Sequence, residues 1–506
     1  VTTRSRAPLA LVVPATIGSV VSLVPLWYLI DASLDNGLGS AIDELWQERT
    51  LTLIARSFGL ALSVTSAAVI LGVFAAWVVA RSPIAPRRAL IVVFSMSLAI
   101  PSYLAAFAWV SWIPQLDGFF GAALVLTFVC YPFVMLPVSA ALQLCDPLTE
   151  DVARSLGRSS LSTFFSITLG QVRSSVAGGA LLVALYVLSD FGAVAAMRYE
   201  VFTWVIYGAY RAGFNPSRAA VLSIVLIAAA FLLTAAEVRL RSTSKVLGSG
   251  VRRAVVTTRS LKQTLIASVG SLAIVGVGVG VPVGRVVHWM VSNSQPIDLS
   301  ELTRAVISSF QVGIITSIAT VAVALPVSIS AARFSSRFTR SIEGSTYVIH
   351  ALPGIVVAIS MVFVGIRVLK PIYQQLPLLI AAQVIIFIPL AVSSIRSSIE
   401  MSRSSVEDVA RSLGSGNMAT VFRVTIPLAL PGILAAGAMT MLSSVKELPA
   451  ALLLRPIGLE TLATNIWKFS SVSDYSSVGP YALAMILLAV VPVAVLTATS
   501  QIGHRA

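Results

Sequence analysis

Three ionisable residues, Asp190, Lys446 and Glu447, stand inside long apolar runs of this sequence. A charge in such a run is costly and usually faces a cavity or a partner, so these residues are the first candidates for chemistry. Two readings are open. In one, Asp190 and Glu447 flank a passage and contact a cationic solute or form an outer gate, with Lys446 neutralising one of them. In the other, each carboxylate caps a broken helix, at Phe191-Gly192-Ala193 and Leu448-Pro449-Ala450, or pairs with an arginine such as Arg198 or Arg455. Counted from helix starts near 175 and 432, both carboxylates lie about 22 Å along at 1.5 Å per residue. That is the outer half of a membrane.

Other catalytic constellations are missing from the sequence. His288, His350 and His504 are scattered and form no metal-binding HExxH pattern. His350 and Arg367 fall in or beside an apolar run, where a lone histidine is usually a helix–helix hydrogen bonder; neither is assigned a role. Cys130 and Cys145 are about 22 Å apart if one helix carries both, too far to pair. There is no Gly-Lys dipeptide, hence no phosphate-cradling GxxxxGK[ST] loop. The loops carry no nucleophile elbow and no paired catalytic carboxylates. These features point away from an enzyme.

The elements that position Asp190, Lys446 and Glu447 follow from hydropathy. The chain is 57% hydrophobic and 11% charged, with a mean hydropathy of +0.91. A water-exposed surface needs more charge than this, so lipid is the solvent for most of it. Twelve runs reach the roughly 20 residues that cross a bilayer: 7–30, 57–80, 89–112, 119–144, 175–197, 217–238, 264–289, 305–332, 345–369, 375–395, 428–454 and 478–502. The first, which follows Arg4 and Arg6, reads as a retained helix rather than a secretion signal. With the N-terminus placed inside, 23 of the 35 basic residues and eight of the 21 acidic ones fall on the inner side. That bias predicts an even number of spans with both termini cytoplasmic. It also accounts for the net charge of +14 without nucleic acid. Residues 239–262 are basic, bear Ser and Gly, and read as a cytoplasmic linker.

Residues 150–157 and 407–414 both read EDVARSLG, 257 positions apart. At the same offset Tyr131-Pro132 matches Ile388-Pro389, Asp190 matches Glu447, Ala193 matches Ala450 and Arg198 matches Arg455. At an offset of 252, Ser57-Phe58 matches Ser309-Phe310 and Pro101 matches Pro353. The chain is a tandem duplication of six spans each, 1–238 and 263–506. An even span number gives both halves the same orientation, so the repeat is parallel, with a pathway expected at its interface.

The duplicated octapeptide predicts a short surface helix in each of the loops 146–170 and 403–427. Asp146-Pro147 supplies an N-cap and first-turn proline in one copy; Ser404 or Ser405 caps the other. The acidic pair Glu407-Asp408 suits the positive end of the helix dipole. Gly157 and Gly414 end the helices in a left-handed conformation.

These loops resemble the EAA loop of ABC importer permeases, EAA-x3-G-x9-I-x-L-P. Asp408-Val409-Ala410, Gly414, Val424, Ile426 and Pro427 occupy those places in the second copy. Asp151-Val152-Ala153, Gly157, Ile167 and Leu169 do so in the first, where Gly170 replaces the proline. The resemblance implies an all-α polytopic membrane fold of about twelve helices, the type I importer permease fold. It further implies that Glu150, Asp151, Ala153, Gly157, Glu407, Asp408, Ala410, Gly414 and Pro427 belong to loops that dock on ATPase subunits. Two loops imply two ATPases, which bind ATP and Mg, while this chain holds no cofactor and no metal. VKELPAALLLRP (445–456), GLETLATNIW (458–467) and LSDFGA (188–193) resemble ferric iron permeases. That implies Fe(III) as solute, an extracytoplasmic binding protein that recognises it, and a location in the cell (inner) membrane. Sulfate or thiosulfate, phosphonate and polyamine permeases share the architecture. An ion-coupled secondary transporter also fits twelve spans, but it leaves the duplicated octapeptide unexplained.

Overall fold

The computed structural model describes residues 8–35, 37–82, 84–145, 147–211, 215–242, 261–292, 298–334, 336–350 and 352–502. Every regular element among the described residues is helical. The sequence expectations at Asp146, at His504 and at linker residues 243–260 lie outside that set, as does the side chain of His350. Helix Pro216–Ser242 runs four residues into the expected linker, and Leu261 opens the next helix.

Eight helices are long and apolar enough to cross a membrane, and three bent pairs bring the number to eleven among the described residues. The last expected span is helix Tyr475–Ile502. Two expected spans are each two helices broken at equivalent prolines. Residues 87–112 bend by 81° before helix Ser102–Trp112, and Pro353 likewise precedes helix Gly354–Arg367. Proline disfavours the helical conformation for the residue before it, and Ile100 is extended with φ −86° and ψ 123°. The five residues by which the repeat offset changes fall in these helices and the turns that follow them. The second copy runs 14 residues against 11 in the first, and the turn that follows is longer.

The chain forms two compact units. Residues 43–208 and 225–291 make one. Its core is helices Glu48–Arg81, Gly118–Leu144 and Arg173–Ser189, which pack on each other. Residues 1–42, 209–224 and 292–506 make the other, around helices Leu299–Arg333, Leu376–Met401 and Ile426–Lys446. Asp298 caps the first of these. Hydrogen bonds from the Ser300 side chain and from the Ser300 and Glu301 backbone hold its carboxyl below the usual range.

The units do not follow the repeat boundary: each includes the first helix of the other repeat. Helix Leu9–Leu34 packs on Leu299–Arg333, with Gly18 so close to Val323 that an added Cβ would lie 2.4 Å from it. Tyr28 stacks on Phe363 at 4.9 Å, and Arg367 reaches Asp31 at 3.7 Å and Asp35 at 3.5 Å. In the other unit Gly270, which matches Gly18 at offset 252, meets Phe74 at the same 2.4 Å, and Arg285 donates to the Ser111 carbonyl at 3.3 Å. Close approach at a small residue is how helices associate without water. A second repeated device holds the later helices. Phe202 N donates to Ser57 Oγ at 3.2 Å, and Leu462 N donates to Ser309 Oγ at 2.8 Å.

Candidate functional site

The octapeptide forms the expected short helices, Pro147–Ser155 and Ser404–Ser412. The N-cap of the second is Arg403, with no side-chain cap. Ser404 and Ser405 therefore lie in the first turn rather than ahead of it, which corrects the expectation of a serine cap. The C-termini are alike to a tenth of an ångström. Gly157 has φ +85° and Gly414 φ +90°. Gly157 N donates to Arg154 O at 3.0 Å and Arg158 N to Ala153 O at 3.1 Å; Gly414 N and Ser415 N repeat the pair to Arg411 O and Ala410 O. These are the paired bonds of a Schellman end.

The two glutamates do more than favour a helix dipole. Glu150 is 7% exposed and accepts from Arg81 Nη2 at 2.8 Å and Thr168 Oγ1 at 2.9 Å. Glu407 is 3% exposed and accepts from Arg333 Nε at 2.8 Å and Thr425 Oγ1 at 3.0 Å. Arg81 and Arg333 end equivalent core helices, and Thr168 and Thr425 close equivalent π-helical segments, Phe164–Thr168 and Val421–Thr425. Each short helix is thus fastened by a buried ion pair to a long helix 69 or 74 residues away. Removing one member of such a pair costs about 3–5 kcal/mol, because it leaves a buried charge behind.

The neighbouring aspartates face outward. Asp151 is exposed, and Asp408 is exposed and pairs with Arg411 at 2.8 Å. Ala153 is buried and Ala410 half-buried. The outward faces carry matching apolar side chains: Leu144, Val152, Leu156 and Phe165 in one copy, Met401, Val409, Leu413 and Phe422 in the other, all more than half exposed. Scattered exposed apolar residues need no explanation, but a fourfold match between repeats does.

Beyond the π segments the copies differ. In the first, the chain bends by 73° at Val172, between helices Leu169–Gln171 and Arg173–Ser189. In the second, Asn417–Lys446 is one continuous 30-residue span, with Pro427 exposed in the first turn of helix Ile426–Lys446. The copy that has the proline is the straight one. Both positions follow a π segment; Pro427 sits in the first turn of its helix, where proline is tolerated, whereas Gly170, two residues before the bend, weakens the helix in which it sits.

Both core helices stop at the intramembrane carboxylates. Asp190 is buried; its Oδ2 accepts from Ala193 N at 2.8 Å and Val194 N at 3.4 Å, and Ser102 Oγ donates to Oδ1 at 2.5 Å. Glu447 accepts from Ala450 N at 3.0 Å and Ala451 N at 3.2 Å, so both carboxylates cap the short helix that follows. Arg455 pairs with Glu460. Lys446 is the last residue of its helix, directly before Glu447. Position 354, equivalent to Ser102, is glycine, and a Cβ there would stand 3.4 Å from Glu447 Oε1. The longer acid faces the smaller residue.

Sequence reasoning missed Arg81, Arg333, Thr168 and Thr425, although all four obey the repeat offsets. It also missed Gln383. This buried side chain accepts from Thr316 Oγ1 and Ser444 Oγ, each at 2.7 Å, and hydrogen-bonds Glu447.

A duplicated, polytopic α-helical chain with two anchored surface helices is a transport permease in outline. Residues 324–504 match the family described as "Binding-protein-dependent transport system inner membrane component". The chain is 32% identical over 477 residues to the Fe(3+)-transport system permease protein FbpB 2 of Haemophilus influenzae, covering 93% of this chain and 94% of that one. Shorter stretches resemble the molybdate/tungstate permease protein WtpB of Pyrococcus furiosus, 37% over 84 residues, 17% of this chain and 34% of that one. The sulfate permease protein CysW of Synechocystis is 29% identical over 143 residues, 25% and 52% of the two chains. This chain belongs to the binding-protein-dependent ABC importer permeases, a multi-pass inner membrane component of a transport system. Within them it has the fused two-unit form and resembles the ferric iron permeases.

Proposed function

We propose that this chain forms the complete translocation pathway of an ATP-driven importer for Fe(III). An extracytoplasmic binding protein delivers the ion, and two ATPase subunits, which bind ATP and Mg, dock on helices Pro147–Ser155 and Ser404–Ser412 from the cytoplasm. Both termini lie on that side, and 1–238 and 263–506 act as the two permease units. The observation that carries the docking reading is the repeated combination of a buried Arg–Glu–Thr anchor with four matching exposed apolar residues. A lever must be rigid at its root and adhesive at its tip, and an anchor of this kind transmits displacement of the helix to the core helix that carries Arg81 or Arg333. Val152, Leu156, Val409 and Leu413 are the tip; Glu150, Glu407, Ala153, Ala410, Gly157 and Gly414 build the root and set its angle. Replacing Leu156 and Leu413 together with Asp is expected to release the ATPases on co-purification while the permease keeps its melting midpoint. Intact complexes would remove the docking role.

The Fe(III) reading is supported by the near full-length similarity to a permease of that description; the sulfate and molybdate relatives favour an oxoanion as the second reading. Uptake into vesicles with radiolabelled iron, sulfate and molybdate, each with its loaded binding protein, separates the two. In the pathway reading Asp190 and Glu447, with Lys446 beside the latter, meet the solute. Asp190→Asn with Glu447→Gln keeps the caps' acceptor oxygens; unchanged uptake at normal expression would assign both carboxylates to capping alone.

A further inference from the structure

At the root of helix Pro147–Ser155 a cleft of about 70 Å³ opens beside the end of helix Glu48–Arg81. Its walls include Trp77, Arg81, Glu150, Arg154, Thr163 and Gln263. Two guanidinium groups face one carboxylate there. The Glu150 Oε1 atom is occupied by Arg81 and Thr168, and its Oε2 lies 3.8 Å from Arg154 Nη2. Two residues of its lining each carry a donor that is left over. Arg154 Nε and Thr163 Oγ1 are both buried and find no hydrogen-bond partner among the described residues; Thr163 is only 1% exposed.

The second repeat shows what the same positions do when satisfied. Arg411, equivalent to Arg154, pairs with Asp408 at 2.8 Å. Thr420, equivalent to Thr163, donates to the Gly416 carbonyl at 3.1 Å. The counterparts of Trp77 and Phe164 are Ile329 and Val421, which belong to a closed apolar cluster. Two donors are thus left without acceptors only where the cleft exists. A buried donor without a partner is costly, and a ligand rich in acceptors relieves that cost.

We propose that this cleft binds a phosphate group, held by Arg154 and the Thr163 hydroxyl, with Gln263 at its rim. The planar guanidinium suits phosphate oxygens, two arginines against one glutamate favour an anion, and the volume has room for a tetrahedral oxoanion. The group has two possible sources, the headgroup of an anionic phospholipid and free inorganic phosphate. Trp77 at the end of a membrane-length helix places the cleft at headgroup depth. The inference does not depend on which solute the permease carries, nor on whether an ATPase docks on the helix above.

The test is the melting midpoint of the full chain in nanodiscs, in three arms: phosphatidylcholine alone, the same with millimolar inorganic phosphate, and a mixture with phosphatidylglycerol. Saturating ligand is expected to raise the midpoint by about 2 °C or more. A rise with inorganic phosphate identifies the free anion, and a rise only with phosphatidylglycerol identifies the headgroup. Either rise should vanish in Thr163→Val, which keeps the side-chain shape, and in Arg154→Gln, and should persist in Thr420→Val. No rise in either arm means the cleft holds water only and overturns the proposal, as does a rise that survives in both first-repeat variants.

Discussion

The two repeats agree at one end of their core helices and disagree further along. At the short helices every anchor is duplicated: Arg81 with Arg333, Glu150 with Glu407, Thr168 with Thr425. Among the core helices the match breaks down. Where the second repeat joins Thr316, Gln383 and Ser444 in a buried hydrogen-bonded seam, the first has Val64, Leu126 and Val187, all buried. Where the first sets Asp190 against Ser102, the second sets Glu447 against Gly354. If equivalent partners dock there, as proposed, the two halves must be held alike at that end. Inside, each has its own packing: a single serine hydroxyl meets Asp190 in the first, and the hydrogen-bonded Gln383 seam meets Glu447 in the second.

Four experiments break or sharpen that comparison. The largest effect is expected at the anchors. Glu150→Ala and Glu407→Ala each leave a half-buried arginine without its carboxylate, and each should cost up to about 3–5 kcal/mol in chemical denaturation of the purified chain. Similar losses from both sites support equivalence of the anchors; a loss at one site alone breaks it. Next come Gly157→Ala and Gly414→Ala. Nothing lies within 4 Å of an added Cβ at either position, so the expected cost of about 1–2 kcal/mol is that of left-handed backbone alone. A much larger loss would mean that a partner occupies the space.

Smaller effects probe the interior. Gln383→Leu alone strands the hydroxyls of Thr316 and Ser444 and removes a partner of Glu447, for about 1–3 kcal/mol. Adding Thr316→Val and Ser444→Val rebuilds the first repeat's apolar seam and should recover most of the stability. If uptake falls in the triple variant while the fold holds, the seam serves transport and not packing. The smallest effect is a coupling. Gly354→Ser crowds Glu447, and Glu447→Asp shortens it, so a double-mutant cycle should show the pair coupled by about 1 kcal/mol. Additive losses would deny that the size exchange at 354 and 447 is compensation.

Local features were legible without coordinates. Glycine at the end of a polar helix predicts a left-handed terminus because other side chains resist that conformation, and Gly157 and Gly414 both adopt it. Phe191-Gly192 and Leu448-Pro449 announced breaks that end helices at Ser189 and Lys446. The partner of Glu150 was not legible, because Arg81 lies 69 residues away on another helix and no periodicity links them. Repeat offsets alone pointed to it, since Arg81 and Arg333 are matched as are the glutamates.

By itself, then, the order of residues determined the duplication, the lipid-soluble class, the approximate spans and the positions where the backbone must turn. Each of these depends on apolar run length, on identity between copies or on the conformational limits of single residues. Tertiary structure alone decided that each first helix packs with the other repeat's core. It also decided that a glutamate and not the adjacent aspartate turns inward, and that the bend falls at Val172, in the copy without the proline. Those outcomes depend on which distant side chains share a helix face in three dimensions, and contact energies between elements outweigh the small local preferences along the chain.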